Sequence, residues 1–206
     1  MTLDEAINVH KICRPYEVTL PLITNVAEEE GMPLDIGGFA REHALGAAVT
    51  FLVNGLLFSG ARRCITYARD VESAHEMRCA LKEACALFRV ECCAVVIVAD
   101  TKNRAVKYSR FQHGPTSRYT SKGTQVIKVR FLVAVKILDF GVDLPNCDSV
   151  AMLTPPTTAT DVASAHRAIQ RSGRALRGND RVAQIFIFAE RTNPWMQAFF
   201  NQLLEL

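Results

Sequence analysis

No glycine in the 206-residue chain is followed by lysine. The G-x-x-x-x-G-K-[ST] loop that wraps the phosphates of a nucleotide is therefore missing. An acidic quartet after an apolar strand, which would hold magnesium beside such a loop, is missing too. On both counts this chain unaided is not expected to hydrolyse a nucleotide. No Gly-rich dinucleotide loop follows a strand, and no Ser/His/Asp set is apparent, which disfavours an unrelated small-molecule enzyme. None of the seven cysteines forms a C-x-x-C pair, so neither a zinc site nor a disulfide framework is indicated. Free thiols in a reducing compartment are expected instead.

Long apolar runs are scarce as well. The longest, residues 44–58, is interrupted by Gly46, Thr50, Asn54 and Gly55 and is too short to span a bilayer. Met1-Thr2-Leu3-Asp4-Glu5 lacks the basic region and apolar core of a secretory signal. An intracellular protein, cytoplasmic or nuclear, with no membrane partner is the expectation. The net charge of +3 is too small for binding a polyanion by bulk electrostatics, so any such binding must come from local patches. No internal repeat is present.

What is present is a chain that is 49% hydrophobic, enough for one α/β domain with a real core. Helical spacing over 40–58 puts Leu45, Val49, Leu52 and Leu56 on one face. A strand over 63–68 precedes Asp70 as N-cap and a helix over 71–88, on which His75 and Glu76 read as surface residues. Residues 92–99 are almost wholly apolar, as in a parallel strand covered on both faces. A helix is expected over 101–111 and a mobile, polar loop over 113–123. Strong alternation over 125–135 sets Val129, Phe131, Val133 and Val135 on one side. Further strands are expected at 147–153 and 182–188, with a helix starting at Thr160 or Asp161 between them. Asn193-Pro194-Trp195 opens a terminal helix. Strands alternating with helices predict a doubly wound fold, mainly parallel, flanked by helices.

The octet Gln170-Arg171-Ser172-Gly173-Arg174-Ala175-Leu176-Arg177 carries the most chemistry. Arg174 and Arg177 lie three apart, so on a helix their guanidinium groups project to one side. Gly173 lets the backbone bend or approach a ligand closely. Two convergent planar cations suit a phosphate, each donating paired hydrogen bonds. The competing reading is a solvated basic helix end that complements the helix dipole. Upstream, Gly141-Val142-Asp143-Leu144-Pro145 follows an apolar strand, and Asp143 before Pro145 is also a good turn residue.

Together, GVDLP and QRSGRALR, separated by one strand and one helix, resemble motifs V and VI of superfamily 2 helicases. The resemblance implies the C-terminal RecA-like domain of such an enzyme, a P-loop NTPase fold without its own P-loop. It implies arginine fingers at Arg174 and Arg177, and nucleotide or partner-domain contacts at Gly141, Asp143, Gln170 and Gly173. Asp143 would accept from a ribose hydroxyl or order the motif VI arginines. The strand and helix at 63–88 resemble motif IV and imply nucleic-acid contacts at Arg69 and Thr66, with Arg69 as a merely solvated cation the alternative. Ala134 stands where the family pattern has a phosphate-binding hydroxyl, and Phe140 stands where Glu or Thr is common. The run 2–22, with Tyr16-Glu17-Val18, resembles the passage between the two motor domains. It implies a linker at 1–24, a domain at 25–191 and a packed helix at 192–206. Asp4-Glu5-Ala6 imitates a DEAD-type motif without its preceding strand. The implied cofactor is ATP with Mg2+, bound mainly by a first RecA-like domain, and the implied partners are that domain and DNA or RNA. The rival function is a non-catalytic helicase-like module that binds nucleic acid or protein.

Overall fold

The computed structural model describes residues 15–18, 36–135, 144, 146–153 and 183–187. Six strands run parallel in one sheet: β1 (Pro15–Val18), β2 (Arg63–Tyr67), β3 (Glu91–Ile97), β5 (Gln125–Ala134), β6 (Ser149–Met152) and β7 (Ala183–Ile187). Their spatial order is β1-β7-β6-β2-β5-β3, and the short strand β4 (Ser117–Tyr119) pairs antiparallel with β5. The helices are α1 (Ile36–Ser59), α2 (Val71–Leu87) and α3 (Arg104–His113). Among the described residues no helix is long and apolar enough to cross a membrane.

Alternation along the strands divides the core into two layers. Cys64, Val96, Phe131, Val133 and Ala151 face α1 and α2. Ile65, Tyr67, Val95, Ile97, Leu132 and Ala134 face the other way, where Phe111 of α3 joins them. The helices after β2 and β3 thus leave on opposite faces, which is the doubly wound arrangement expected.

α1 buries Val49, Leu52, Val53 and Leu56 almost completely, with Leu45 packed against the same cluster. A Cβ on Gly55 would stand 2.7 Å from Cε1 of Phe186, so this glycine sets how closely α1 lies on β7. Gly60, at φ +79°, ends the helix in the left-handed region that side chains resist. α2 buries Ala74, Met77, Leu81, Ala84 and Cys85 along one stripe. It stops in a Schellman turn, in which Val90 N donates to Cys85 O (3.0 Å) and Arg89 N to Ala86 O (3.0 Å). Arg89 occupies the left-handed position at φ 54°.

At the opposite end of the sheet, Asp148 accepts the amides of Arg62 (2.9 Å) and Arg63 (2.8 Å). Its own carbonyl accepts Gln184 N at 3.1 Å. One residue therefore ties the starts of β2, β6 and β7 together.

Two expectations needed correction. The loop expected over 113–123 contains β4, because Lys128 N donates to Thr116 O (2.8 Å) and Thr120 N to Thr124 O (2.9 Å), closing a hairpin. Gly123 at φ +75° makes its turn. The helix expected over 101–111 begins at Arg104. Thr101 is held in a turn instead, its hydroxyl accepting Val98 N at 2.8 Å. The strand at Tyr16 is present, and it is a member of this sheet, Pro15 pairing with Ala183. The helix expected to start at Thr160 or Asp161 and the terminal helix expected within 192–206 lie outside the described residues.

Candidate functional site

In open parallel sheets ligands bind beyond the carboxyl ends of the strands, where successive connections diverge to opposite faces. Here that edge is formed by the ends of β2, β5 and β3, with Tyr67, Ala134 and Ile97 in register. β5 lies between the two strands whose connections diverge. The chain leaves β2 through Ala68, whose amide donates to Ala134 O at 2.9 Å. It then passes Arg69 and enters α2.

The entry into α2 is tightly built. Asp70 is extended, its side chain accepts Ser73 N at 2.8 Å, and its own amide donates to Ser73 Oγ at 3.0 Å. This reciprocal capping box satisfies the first-turn donors that a helix leaves open. Arg69 Nε lies 2.8 Å from Asp70 Oδ2, with the arginine side chain 84% exposed. The Ser73 amide, then the Arg69 guanidinium and the Ser73 hydroxyl, hold the Asp70 carboxyl down at about 2. Asp70 in turn raises the pKa of Arg69. The pair is fully ionised at neutral pH. Among the described residues only Nε of Arg69 is engaged, so toward them the outer nitrogens of the fork remain available to an anion in solution.

Thr66 and Ala134 are both fully buried. Thr66 pairs with Val133 and Ala151, and among the described residues its hydroxyl has no hydrogen-bond partner. Ala134 contributes its carbonyl and no side-chain polarity. Of the nucleic-acid residues expected from the sequence, only Arg69 presents its side chain to solvent. The other two are sealed within the sheet, and Ala134 meets the turn that carries Arg69 through its carbonyl.

The sequence reading passed over two cations at this edge. Lys107 Nζ donates to Val96 O at 3.1 Å, and Arg104 donates to Ala99 O. Both drape over the end of β3. Their spacing of three on a helix was the available signal.

Gly141, Asp143, Gln170, Gly173, Arg174 and Arg177, together with Phe140, lie outside the described residues. Leu144, next to Asp143, is buried in the α3-facing layer, and its carbonyl accepts Cys147 N at 3.1 Å in the turn into β6. Among the described residues no group of three or more His, Cys, Asp and Glu could hold a metal ion. The described residues therefore offer no cage for Mg2+, and those expected on ATP are not among them.

Residues 48–179 match the model of the helicase conserved C-terminal domain. No curated protein matches the sequence. Among solved structures, the chain is similar to the ATP-dependent Type ISP restriction-modification enzyme LlaBIII bound to DNA, at 13% identity and a TM-score of 0.64. That match covers 98% of this chain and 14% of the enzyme. It is similar to the C-terminal domain of the DEAD-box protein Dbp5, at 17% identity and a TM-score of 0.55, covering 97% of this chain and 89% of that one. It is also similar to S. cerevisiae Dbp5 bound to RNA and ADP BeF3, at 18% identity and a TM-score of 0.52, covering 79% of this chain and 37% of that one. At such identities the likeness is one of fold. The chain spans a small part of the restriction-modification enzyme and nearly all of the isolated C-terminal domain.

Proposed function

The chain belongs to the helicase conserved C-terminal domain family, and we propose that it acts as the second motor domain of a superfamily 2 ATP-dependent nucleic-acid helicase or translocase. ATP and Mg2+ are bound mainly by a first RecA-like domain, and this chain completes the cleft. Arg174 and Arg177 are its arginine fingers, neutralising charge on the transferring phosphoryl group. Gly141, Asp143, Gln170 and Gly173 line the nucleotide side. Arg69 contacts the nucleic-acid backbone from the start of α2, and Thr66 and Ala134 belong to the strand ends that support its turn. Closure on ATP grips a strand and hydrolysis releases it, so turnover is coupled to stepping.

The single observation that carries this reading is the family match, which runs across the whole of β2 to β6. The exposed Arg69 at the sheet's diverging edge supports it. The test is phosphate release by the chain alone and with a first-domain protein, each with and without DNA or RNA. Turnover is expected only in the reconstituted, nucleic-acid-bound mixture. Arg174→Ala is expected to lower that turnover by about 10³-fold or more, with nucleotide binding much less affected. Substantial turnover by the chain alone, or an unimpaired variant, overturns the assignment.

Ala134 favours a second reading. A buried methyl stands at a strand end where the family pattern supplies a hydroxyl. In that reading the domain binds nucleic acid or protein without driving hydrolysis. A reconstituted mixture that binds oligonucleotides yet releases no phosphate selects it.

A further inference from the structure

Between Asp100 and Asp139 the sequence holds nine Lys and Arg residues and no Asp or Glu. The chain totals are 24 basic and 21 acidic residues, so everything outside this segment is net acidic. The modest overall charge conceals a strongly polarised distribution.

The fold arranges this segment as one continuous feature. α3 begins over the carboxyl end of β3, where Lys107 and Arg104 donate to Val96 O and Ala99 O. It ends near the start of β2, where Arg63 donates to Phe111 O (3.3 Å) and Gly114 O (3.0 Å). α3 therefore runs antiparallel to the strands, from the candidate edge back to the opposite end of the sheet. The β4–β5 hairpin continues from there.

Two of the nine cations are removed from the surface count by position. Arg130 is buried and capped by carbonyls, its guanidinium donating to Arg110 O at 2.6 Å and Pro115 O at 3.0 Å. Lys136 is not among the described residues. Arg118 and Lys128 share Glu91, and the half-buried Lys107 is turned onto Val96 O. Lys102, Arg104, Arg110 and Lys122 are exposed, and among the described residues none of them is paired with a carboxylate.

We propose that the outer face of α3 and the β4–β5 hairpin form a second nucleic-acid track. It carries the phosphodiester backbone away from the sheet's carboxyl edge and across the domain. The proposal rests on the nucleic-acid reading of the edge and extends it. The occupant is a nucleic acid because the exposed cations recur from Lys102 and Arg104 at the start of α3, through Arg110 near its end, to Lys122 in the hairpin, with few apolar anchors among them. Among the described residues of this segment, Val106 and Tyr119 are the exposed large hydrophobics. A protein interface would instead concentrate aromatic and apolar groups at its centre. A ten-residue helix is about 15 Å long, enough to face roughly four phosphates at about 3.4 Å per strand.

The test measures binding of the full chain to single-stranded oligonucleotides of about 6 and about 20 nucleotides across a salt series. Arg110→Ala with Lys122→Ala touches neither Arg69 nor a buried group. The double variant should weaken binding of the long oligonucleotide about tenfold at low salt. It should also lower the magnitude of the log–log salt slope by about 1.4, at about 0.7 per lost contact. Binding of the short oligonucleotide should not change. Glu91→Gln, which releases Arg118 and Lys128, should tighten binding of the long oligonucleotide. An unchanged melting temperature in the double variant, and a cooperative melting transition in Glu91→Gln, confirm that folding is intact. Equal long-oligonucleotide binding by wild type and double variant overturns the track while leaving the edge reading intact. Failure of wild type to bind either length overturns both. Equal competition by polyglutamate of matched charge overturns the nucleic-acid assignment in favour of an acidic protein.

Discussion

The amide of Ala68 and the carbonyl of Ala134 are 2.9 Å apart, so the turn that carries Arg69 hangs from the end of the neighbouring strand. Residues 66 positions apart in sequence are thereby coupled. A shift at the end of β5 must move the start of α2 or break this bond. The cation at the edge and the segment that follows Ala134 therefore share one mechanical support.

Arg69 and Asp70 should separate in their effects. Arg69→Ala is expected to weaken oligonucleotide binding at both lengths without changing the melting temperature, because its side chain is 84% exposed. Asp70→Ala removes the capping box and should lower the melting temperature and raise amide exchange in the first turn of α2. Asp70→Asn, which keeps a capping oxygen, should recover most of that loss. An Arg69→Ala variant with wild-type affinity at low salt would remove this residue from the interface.

Close packing at Gly55 makes a sharper stability prediction. An added methyl meets the Phe186 ring at 2.7 Å, which introduces about 1–3 kcal/mol of strain. The gain in helix propensity of about 1 kcal/mol offsets part of it, so Gly55→Ala should show a net cost of up to about 2 kcal/mol by denaturant titration. Phe186→Leu in the same chain should relieve part of the clash. If Gly55→Ala proves stabilising, α1 and β7 are less intimately packed than described.

Acid sensitivity follows from two carboxylates. Asp70 lies at about 2, against an ordinary 3.8, held there by Ser73 and Arg69. Glu91 also lies at about 2, against 4.5, held by Arg118 and then Lys128. Folded values below unfolded ones mean that the unfolded chain takes up protons first. Stability from both groups is thus fully present above about pH 5 and is lost as pH falls toward 2. Both sites are solvent-exposed, so the loss should shrink as salt is added. The melting temperature measured from pH 7 to pH 2 tests this. Glu91→Gln should flatten the fall, and an unaltered curve would show that the triad does not support the fold.

The α/β alternation was legible because its signals are local. Apolar runs, the Asp70 cap and the alternating residues of β5 identify their elements without any knowledge of neighbours. The β4 hairpin was not legible in the same way. Ser117-Arg118-Tyr119 carries no apolar alternation, and its strand character comes from pairing with Gln125 to Ile127. Register likewise depends on distant partners, as the grip of Asp148 on Arg62 and Arg63 shows.

For the site, sequence alone supplied residue type and spacing, and with them the chemistry that arginines, a glycine and an acid could perform. Exposure belonged to the tertiary structure. Thr66 and Arg69 are three residues apart, yet one is sealed between two strands and the other stands in water. Burial depends on what the rest of the chain packs against a residue, and that is a property of the assembled sheet. The basic segment between Asp100 and Asp139 was written in the sequence from the start. Only the tertiary structure decided which of these charges stand exposed along α3 and its hairpin and which are buried or paired.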